Sequence, residues 1–216
     1  MSVTKIEIQV VADFVCPWCF IGKRRLEKAI QQFKETSSKQ VEFTVKWLPY
    51  QLVPDAPKKS IKKSDSYAQR FGADRAKQMI SDMIQMGKSE GIAFDYRGKI
   101  GNTFDAHRLI AYAEEFNLQN ELAEQLFHAY FEKARDIANN EVLVNIAAEV
   151  GLDRTKVQAY LDSDEGVKKV SQRLYGVRLD GISGVPSYFI QGNFYFSGAK
   201  DPATFVTAFE QLTNKQ

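Results

Sequence analysis

Residues 13–27 read DFVCPWCFIGKRRLE. Two cysteines, Cys16 and Cys19, enclose Pro17 and Trp18, between a run that reads as a strand and a run that reads as a helix. Upstream, Ile6 to Val11 is rich in β-branched residues with charged neighbours, which predicts a strand. Downstream, Phe20, Leu26, Ala29, Ile30 and Phe33 return every three to four residues, the period of a helix with one buried face. Val41 to Trp47 (VEFTVKW) alternates again and predicts a second strand. Strand, helix, strand is the βαβ unit that builds parallel sheet.

Working outward, Pro49 to Ser66 holds three prolines and two lysine pairs and reads as a solvated loop. From about Tyr67 to Tyr160 the pattern is helical. Asn102 or Thr103 is expected to cap the helix carrying Ala106, Leu109 and Ile110, and Met79, Met83 and Met86 read as core filler. A further helix after Asp164 precedes two short strands, Ser187 to Gln191 and Phe194 to Ser197, joined by a turn at Gly192–Asn193. Asp201–Pro202 opens a last helix with Phe205, Phe209 and Leu212 on its buried side. The outer pieces are each too small for a stable sheet, so together they make one α/β domain and the helical block is an insertion.

The whole chain has 216 residues, enough for a sizeable core, and carries 29 Lys plus Arg against 27 Asp plus Glu. A net charge of +2 with no basic stripe argues against nucleic acid as a partner. No apolar run approaches the ~18 residues of a membrane span. The opening MSVTKIEIQVVADFV lacks the parts of a signal peptide and reads as a strand, so the expected setting is the cytoplasm. There, two cysteines point to chemistry rather than to a structural staple.

A Cys-X-X-Cys pair at a helix start suits redox work. The first thiol sits at unpaired N–H groups and the positive end of the helix dipole, which favour a thiolate. Cys16 at the helix mouth would be the exposed nucleophile, and Cys19, one turn in, would resolve the mixed disulfide. A structural disulfide is a weaker reading, because so short a loop restrains the unfolded chain little. Half of a zinc site is weaker still: His107 and His128 are the only histidines, and they are far apart in sequence for a ligand pair. Metal is therefore not expected. Asp13 reads first as a turn cap and second as a proton acceptor near the thiols. His128, with Glu124 and Glu132 four residues to either side, reads as part of an exposed ionic face. Tyr188, Phe194 and Phe196 read as core, and Ser187 as a strand residue. Pro186, before the strand SYFI, is either a strand start or a cis-proline.

DFVCPWCFIGKRRLE followed by GISGVPSYFI resembles the DsbA-like branch of the thioredoxin superfamily, and NTFDAHRL (Asn102 to Leu109) is similar to its FrnE-like group. The resemblance implies a thioredoxin-like fold with an inserted all-helical domain. Its first part would be residues 1–60, the insertion 61–162 and its second part 163–216. It implies that Cys16 attacks, that Cys19 resolves and that Pro186 is a cis-proline facing them. Val185 would offer its backbone to an extended substrate, Pro17 and Trp18 would tune the thiols, and His107 would face the cleft, although its place beside the apolar stripe of its helix equally suits a packed, hydrogen-bonded histidine. The implied activity is thiol–disulfide exchange with protein or small-molecule substrates, needing no bound cofactor, with glutathione a candidate redox partner. A glutathione-dependent isomerase or transferase, related to 2-hydroxychromene-2-carboxylate isomerase, is the alternative. Those relatives carry serine at the nucleophile position. A non-enzymatic redox sensor or client-binding module is a third reading. Periodicity does not give the oligomeric state, and a dimer stays open.

Overall fold

The computed structural model describes residues 3–214; the outermost ends of the 1–60 and 163–216 ranges, Met1–Ser2 and Lys215–Gln216, lie outside the described residues. The chain runs β1 (Thr4–Ala12), α1 (Pro17–Thr36), β2 (Val41–Pro49), β3 (Ile61–Lys62), α2 (Lys63–Phe71), α3 (Ala73–Ser89) and β4 (Lys99–Ile100). Helix α4 (Phe104–Ala113) continues into a 3-10 turn (Glu114–Phe116), followed by α5 (Gln119–Phe131), α6 (Asn140–Glu149), α7 (Arg154–Asp162) and α8 (Val167–Leu179). Strands β5 (Ser187–Ile190) and β6 (Asn193–Ser197) and helix α9 (Pro202–Asn214) complete it.

The main sheet has the order β2-β1-β5-β6. β1 and β2 are parallel, with Ile6 opposite Phe43 and Val10 opposite Trp47. β5 returns antiparallel to β1, with Ser187 opposite Val11. Side chains alternate across a strand. Ile6, Ile8 and Val10 therefore enter the main core with α1 and α9, where Phe33, Phe43 and Phe209 meet ring to ring. Val11 points the other way, into a smaller cluster with Val177 and Ile182. The fold class is α/β, a thioredoxin-like sheet carrying an inserted helical block. Phe127 of α5 stacks on Phe20 of α1 at 5.2 Å and lies 5.0 Å from Phe14, so insert and sheet share one aromatic core.

The structure corrects the sequence reading at several points. The stretch read as a loop through Ser66 ends early, because β3 pairs with β4 and α2 starts at Lys63. Lys63 is not solvated: it is fully buried, its Nζ donates to the Tyr130 carbonyl at 2.7 Å and lies 3.6 Å from the Tyr130 ring centroid. Carbonyls and aromatic faces thus replace water around the ammonium. The helical run is broken between α3 and α4, where β4 lies. The hairpin turn is Gln191–Gly192, one residue earlier than read, because Ile190 pairs with Asn193. Both turn residues have positive φ, 52° and 76°, the primed turn that suits the strand twist. Phe194 and Met79 are exposed, not core. Glu124 turns away from His128 to meet Lys23 and Arg24, and only Glu132 pairs with that histidine.

Candidate active site

Strand β1 delivers the chain to a tight turn, closed by the Cys16 N–H donating to the Asp13 carbonyl at 3.0 Å. Cys16 is the N-cap residue of α1, with extended backbone (φ −91°, ψ 114°), and Pro17 is the first helical residue. Proline fits there because the first turn has no intrahelical use for its missing N–H. The Cys19 N–H donates to the Cys16 carbonyl at 3.0 Å, which places the second thiol one turn in on the same side. Both are free thiols. No side chain caps the helix and no acidic residue lies in its first turn, so nothing competes with an anion at Cys16 for the N–H groups there.

The register of β5 on β1 brings the second motif to the first. Ser187 opposite Val11 puts Pro186 level with the end of β1 and Val185 level with the redox turn. The Val185–Pro186 peptide is cis. The Cys16 thiol points at the Val185 carbonyl, with Sγ 3.8 Å from the oxygen. Ser187 holds this loop, its Oγ donating to the Gly184 carbonyl at 2.8 Å and pairing with Ser197 Oγ. Behind it, the Tyr188 ring lies between Phe196 and Phe205 and presses its hydroxyl on Gly22 of α1. Gly22 belongs to the site's architecture, and a glycine inside a helical pattern is the signal that marks such a close approach.

Cys16 is 4% exposed, so it is not the open nucleophile of the sequence reading; the Val185 loop covers it. Trp18 beside it is 41% exposed and Pro17 half-buried, so these two form the accessible rim. Cys19 is fully buried, and burial, with the hydrogen bond and charge of Cys16 adding, pushes its thiol well above the usual range. Tyr67 of α2 is pushed up to about 12 by burial, with the charge of Cys16 second, and Tyr96 is raised by the same burial effect. The two rings meet at 5.8 Å, an aromatic pair of the insert that the sequence pattern did not mark.

Asp13 is no turn cap in its side chain. Its Oδ2 accepts from the Leu52 N–H at 2.8 Å, tying the redox turn to the loop after β2. His107 does not line an open cleft: it is 2% exposed, tilted on Phe14 at 5.3 Å, with Nε2 3.5 Å from Asp13 Oδ1. Where the resemblance implied a cleft, His107 lines a narrow internal space with Phe14, Trp47 and Pro49. Asn102 caps α4 from one residue before the N-cap position, Oδ1 accepting from the Phe104 N–H at 2.9 Å. Among the described residues, no group of His, Cys, Asp or Glu is placed to hold a metal ion. No helix among them is long and apolar enough to cross a membrane.

Residues 7–210 match the family model of the DSBA-like thioredoxin domain. The uncharacterized protein YwbO of Bacillus subtilis (strain 168) is 26% identical over 215 residues, 98% of this chain and 99% of that one. The crystal structure of the probable DsbA oxidoreductase SCO1869 from Streptomyces coelicolor superposes with a TM-score of 0.86 at 26% identity, covering 98% of this chain and 91% of that one. Two more distant structures share the fold. A 2-hydroxychromene-2-carboxylate isomerase gives TM-score 0.68 at 14% identity, covering 97% of each chain. The cytosolic disulfide reductase DsbM from Pseudomonas aeruginosa with GSH gives 0.59 at 14% identity, covering 97% of this chain and 100% of that one.

Proposed function

The chain belongs to the DSBA-like thioredoxin domain family, and on that premise we propose that it is a thiol–disulfide oxidoreductase working through Cys16 and Cys19. The observation that carries this reading is the direction of the Cys16 thiol: from a helix N-terminus, toward the Val185 carbonyl beside a cis-proline. A substrate disulfide arriving along Val185 meets that sulfur. Cys16 attacks as a thiolate, breaking the substrate S–S bond and forming a mixed disulfide. Cys19 then displaces the substrate thiol and closes Cys16–Cys19. The reverse sequence oxidises a substrate dithiol to a disulfide at the expense of the Cys16–Cys19 disulfide, which returns to two thiols.

In this reading Val185 pairs through its backbone with an extended substrate segment, Pro186 shapes that approach, and Pro17 and Trp18 form the rim that touches it. His107, being buried, leaves the list of substrate contacts. The chemistry requires no metal or bound cofactor. Glutathione is the small thiol proposed as redox partner; DsbM, a cytosolic disulfide reductase of this fold, has been crystallised with it. That cytosolic relative of the fold supports the cytoplasm as the proposed setting, and the NTFDAHRL motif is what supports the proposed FrnE-like affiliation.

Turnover of insulin disulfides and reactivation of scrambled ribonuclease by wild type and Cys16→Ser test the reading. Loss of both activities in the variant is expected. Activity that survives the substitution, or glutathione-dependent isomerase turnover without disulfide exchange, would move the assignment to the isomerase class that shares this fold.

A further inference from the structure

We propose that two copies of this chain pair edge to edge through β2, antiparallel about a twofold axis at Thr44, so that one sheet runs across the dimer. The inference does not depend on the oxidoreductase reading. Its starting point is the open edge of the main sheet, where β2 is the outermost strand. The ladder to β1 uses alternate residues. The Gln40 carbonyl accepts from the Thr4 N–H and the Tyr50 N–H donates to the Ala12 carbonyl, each at 3.0 Å. The register between these points is unbroken, so the odd-numbered residues of β2 turn their N–H and C=O groups outward. Trp47 does so, and its N–H is held by Gln119 Oε1 at 3.3 Å. Among the described residues, no backbone group outside the sheet bonds to the main chain of Phe43 or Val45.

The edge is apolar where it is open. Phe43 and Val45 are half-buried and, with Ile30 of α1, line a cleft of about 830 Å³ beside it. Natural proteins keep such edges apart with prolines or with charges that repel a second copy. Between Glu42 and Lys46 this strand instead carries one acid and one base.

That pattern is complementary to itself, which selects both the occupant and the register. Hydrogen-bonded pairs must join outward-facing residues of the two copies. With Thr44 opposite its own counterpart, Phe43 pairs with Val45 of the second copy and Val45 with its Phe43, in the isologous manner of a twofold dimer. The same register sets Glu42 opposite Lys46 of the second copy, and Lys46 opposite its Glu42. Centring on Phe43 would set Glu42 opposite Thr44 and Lys46 opposite Gln40, and both ion pairs would be lost. Within each copy, Lys5 meets Glu42 at 3.6 Å and Lys46 meets Glu7 at 2.6 Å, on the face opposite the main core. The dimer joins these exposed pairs into rows of alternating sign: Lys5 and Glu42 of one copy, then Lys46 and Glu7 of the other.

Neighbouring groups fit this arrangement. Of the acids that line the cleft, Glu27 is bound by Lys23 and Arg24, and Glu114 by Lys169 and Arg173. Pairing stops at Trp47, because Gln119 occupies its N–H. The pairing segment lies beside the first half of β1, whereas Cys16 follows its last residue, so both redox sites stay clear of the interface.

The test uses the full chain. Sedimentation velocity should show a reversible dimer whose fraction rises with protein concentration and falls with added salt. Glu42→Lys and Lys46→Glu each set like charges opposite one another, and each variant alone should dimerise about tenfold more weakly or worse. Mixing the two variants puts opposite charges at both positions and should restore a dimer containing one of each. The register is read separately, in a chain with Cys16→Ser and Cys19→Ser. There Thr44→Cys brings two Cα atoms to about 4.5 Å across the axis, within disulfide reach, and copper–phenanthroline should cross-link it, whereas Glu42→Cys should stay uncross-linked. Thermal unfolding reports folding, and should the charge variants fail to fold, the cross-linking pattern decides. Wild type that stays monomeric at every concentration, a dimer indifferent to both reversals, or cross-linking at Glu42→Cys as ready as at Thr44→Cys would overturn the proposal. Disulfide exchange per chain should match wild type in the charge variants, so none of these results bears on the oxidoreductase reading.

Discussion

The sulfur of Cys16 and the carbonyl oxygen of Val185 are 169 positions apart in sequence and 3.8 Å apart in space. Two motifs at opposite ends of the chain are brought together by one register, β5 antiparallel to the central strand β1, while the helical insert leaves the sheet and returns. The chemistry proposed depends on that meeting, because a thiol at a helix terminus needs a surface that aligns its substrate.

The two thiols are expected to differ in reactivity. Cys19 is fully buried and held protonated well above the usual thiol range, with burial the main cause. Iodoacetamide at pH 7 on the reduced protein should therefore carboxamidomethylate Cys16 alone. Peptide mass mapping checks this, and equal labelling of Cys19 would contradict the assignment of roles.

Gly22→Ala should destabilise the protein and disturb the site together. A Cβ there would clash with the Tyr188 hydroxyl and come to 3.0 Å from Pro186 Cγ. Tyr188 is packed between Phe196 and Phe205, so it has little room to move. A loss of about 1–3 kcal/mol in urea unfolding is expected, accompanied by slower disulfide exchange. A variant of wild-type stability would show that the α1–β5 contact is looser than described.

Lys63 gives a pH signature. Burial lowers its ammonium to about 8 against an unfolded value of 10.5. Below pH 8 both states are protonated and the cost of burying the charge is fully present. Between 8 and 10.5 the unfolded chain binds one proton more than the folded chain, so stability from this group rises with pH. Wild type should gain on Lys63→Met by on the order of 1 kcal/mol per pH unit across that window, and the gap should be flat below it. A gap independent of pH up to 10 would mean that the ammonium stays charged in the folded state.

Asn102→Ala should cost about 2 kcal/mol or more, for a reason that the motif alone does not give. Its Nδ2 donates to the Pro54 and Ala56 carbonyls at 2.9 and 3.2 Å, and its Oδ1 accepts from Phe104 N–H and Gln51 Nε2. One side chain thus ties the loop after β2 to the start of α4. Thermal unfolding measures the loss, and a change within error would show that the loop is held by other contacts.

The legible parts of the molecule are those with a local pattern. Period-2 alternation at VEFTVKW gives β2, the 3.6-residue stripe through Phe33 gives α1, and the cysteine spacing at a helix start gives the redox pair. Pairings between distant segments leave no such trace. Lys63 reads as a solvated lysine because its carbonyl and aromatic partners are contributed by α5. His107 is a candidate cleft residue only through the family resemblance, and a helical stripe shows which side is buried and not what covers it. The partner, Asp13, belongs to the redox turn. Cys16 reads as exposed because a helix N-terminus usually is, whereas the cover comes from the Val185 loop.

The central claim is that Cys16 and Cys19 form one two-electron redox couple. Equilibrating the protein with graded GSH/GSSG mixtures, quenching with acid and counting free thiols by mass spectrometry measures it directly. The account predicts an intramolecular Cys16–Cys19 disulfide whose fraction follows [GSH]²/[GSSG], with about 30 mV per tenfold change, and which is absent in Cys16→Ser. Thiols that stay reduced at every ratio, or a stable glutathione adduct on Cys16 that Cys19 never resolves, would contradict it.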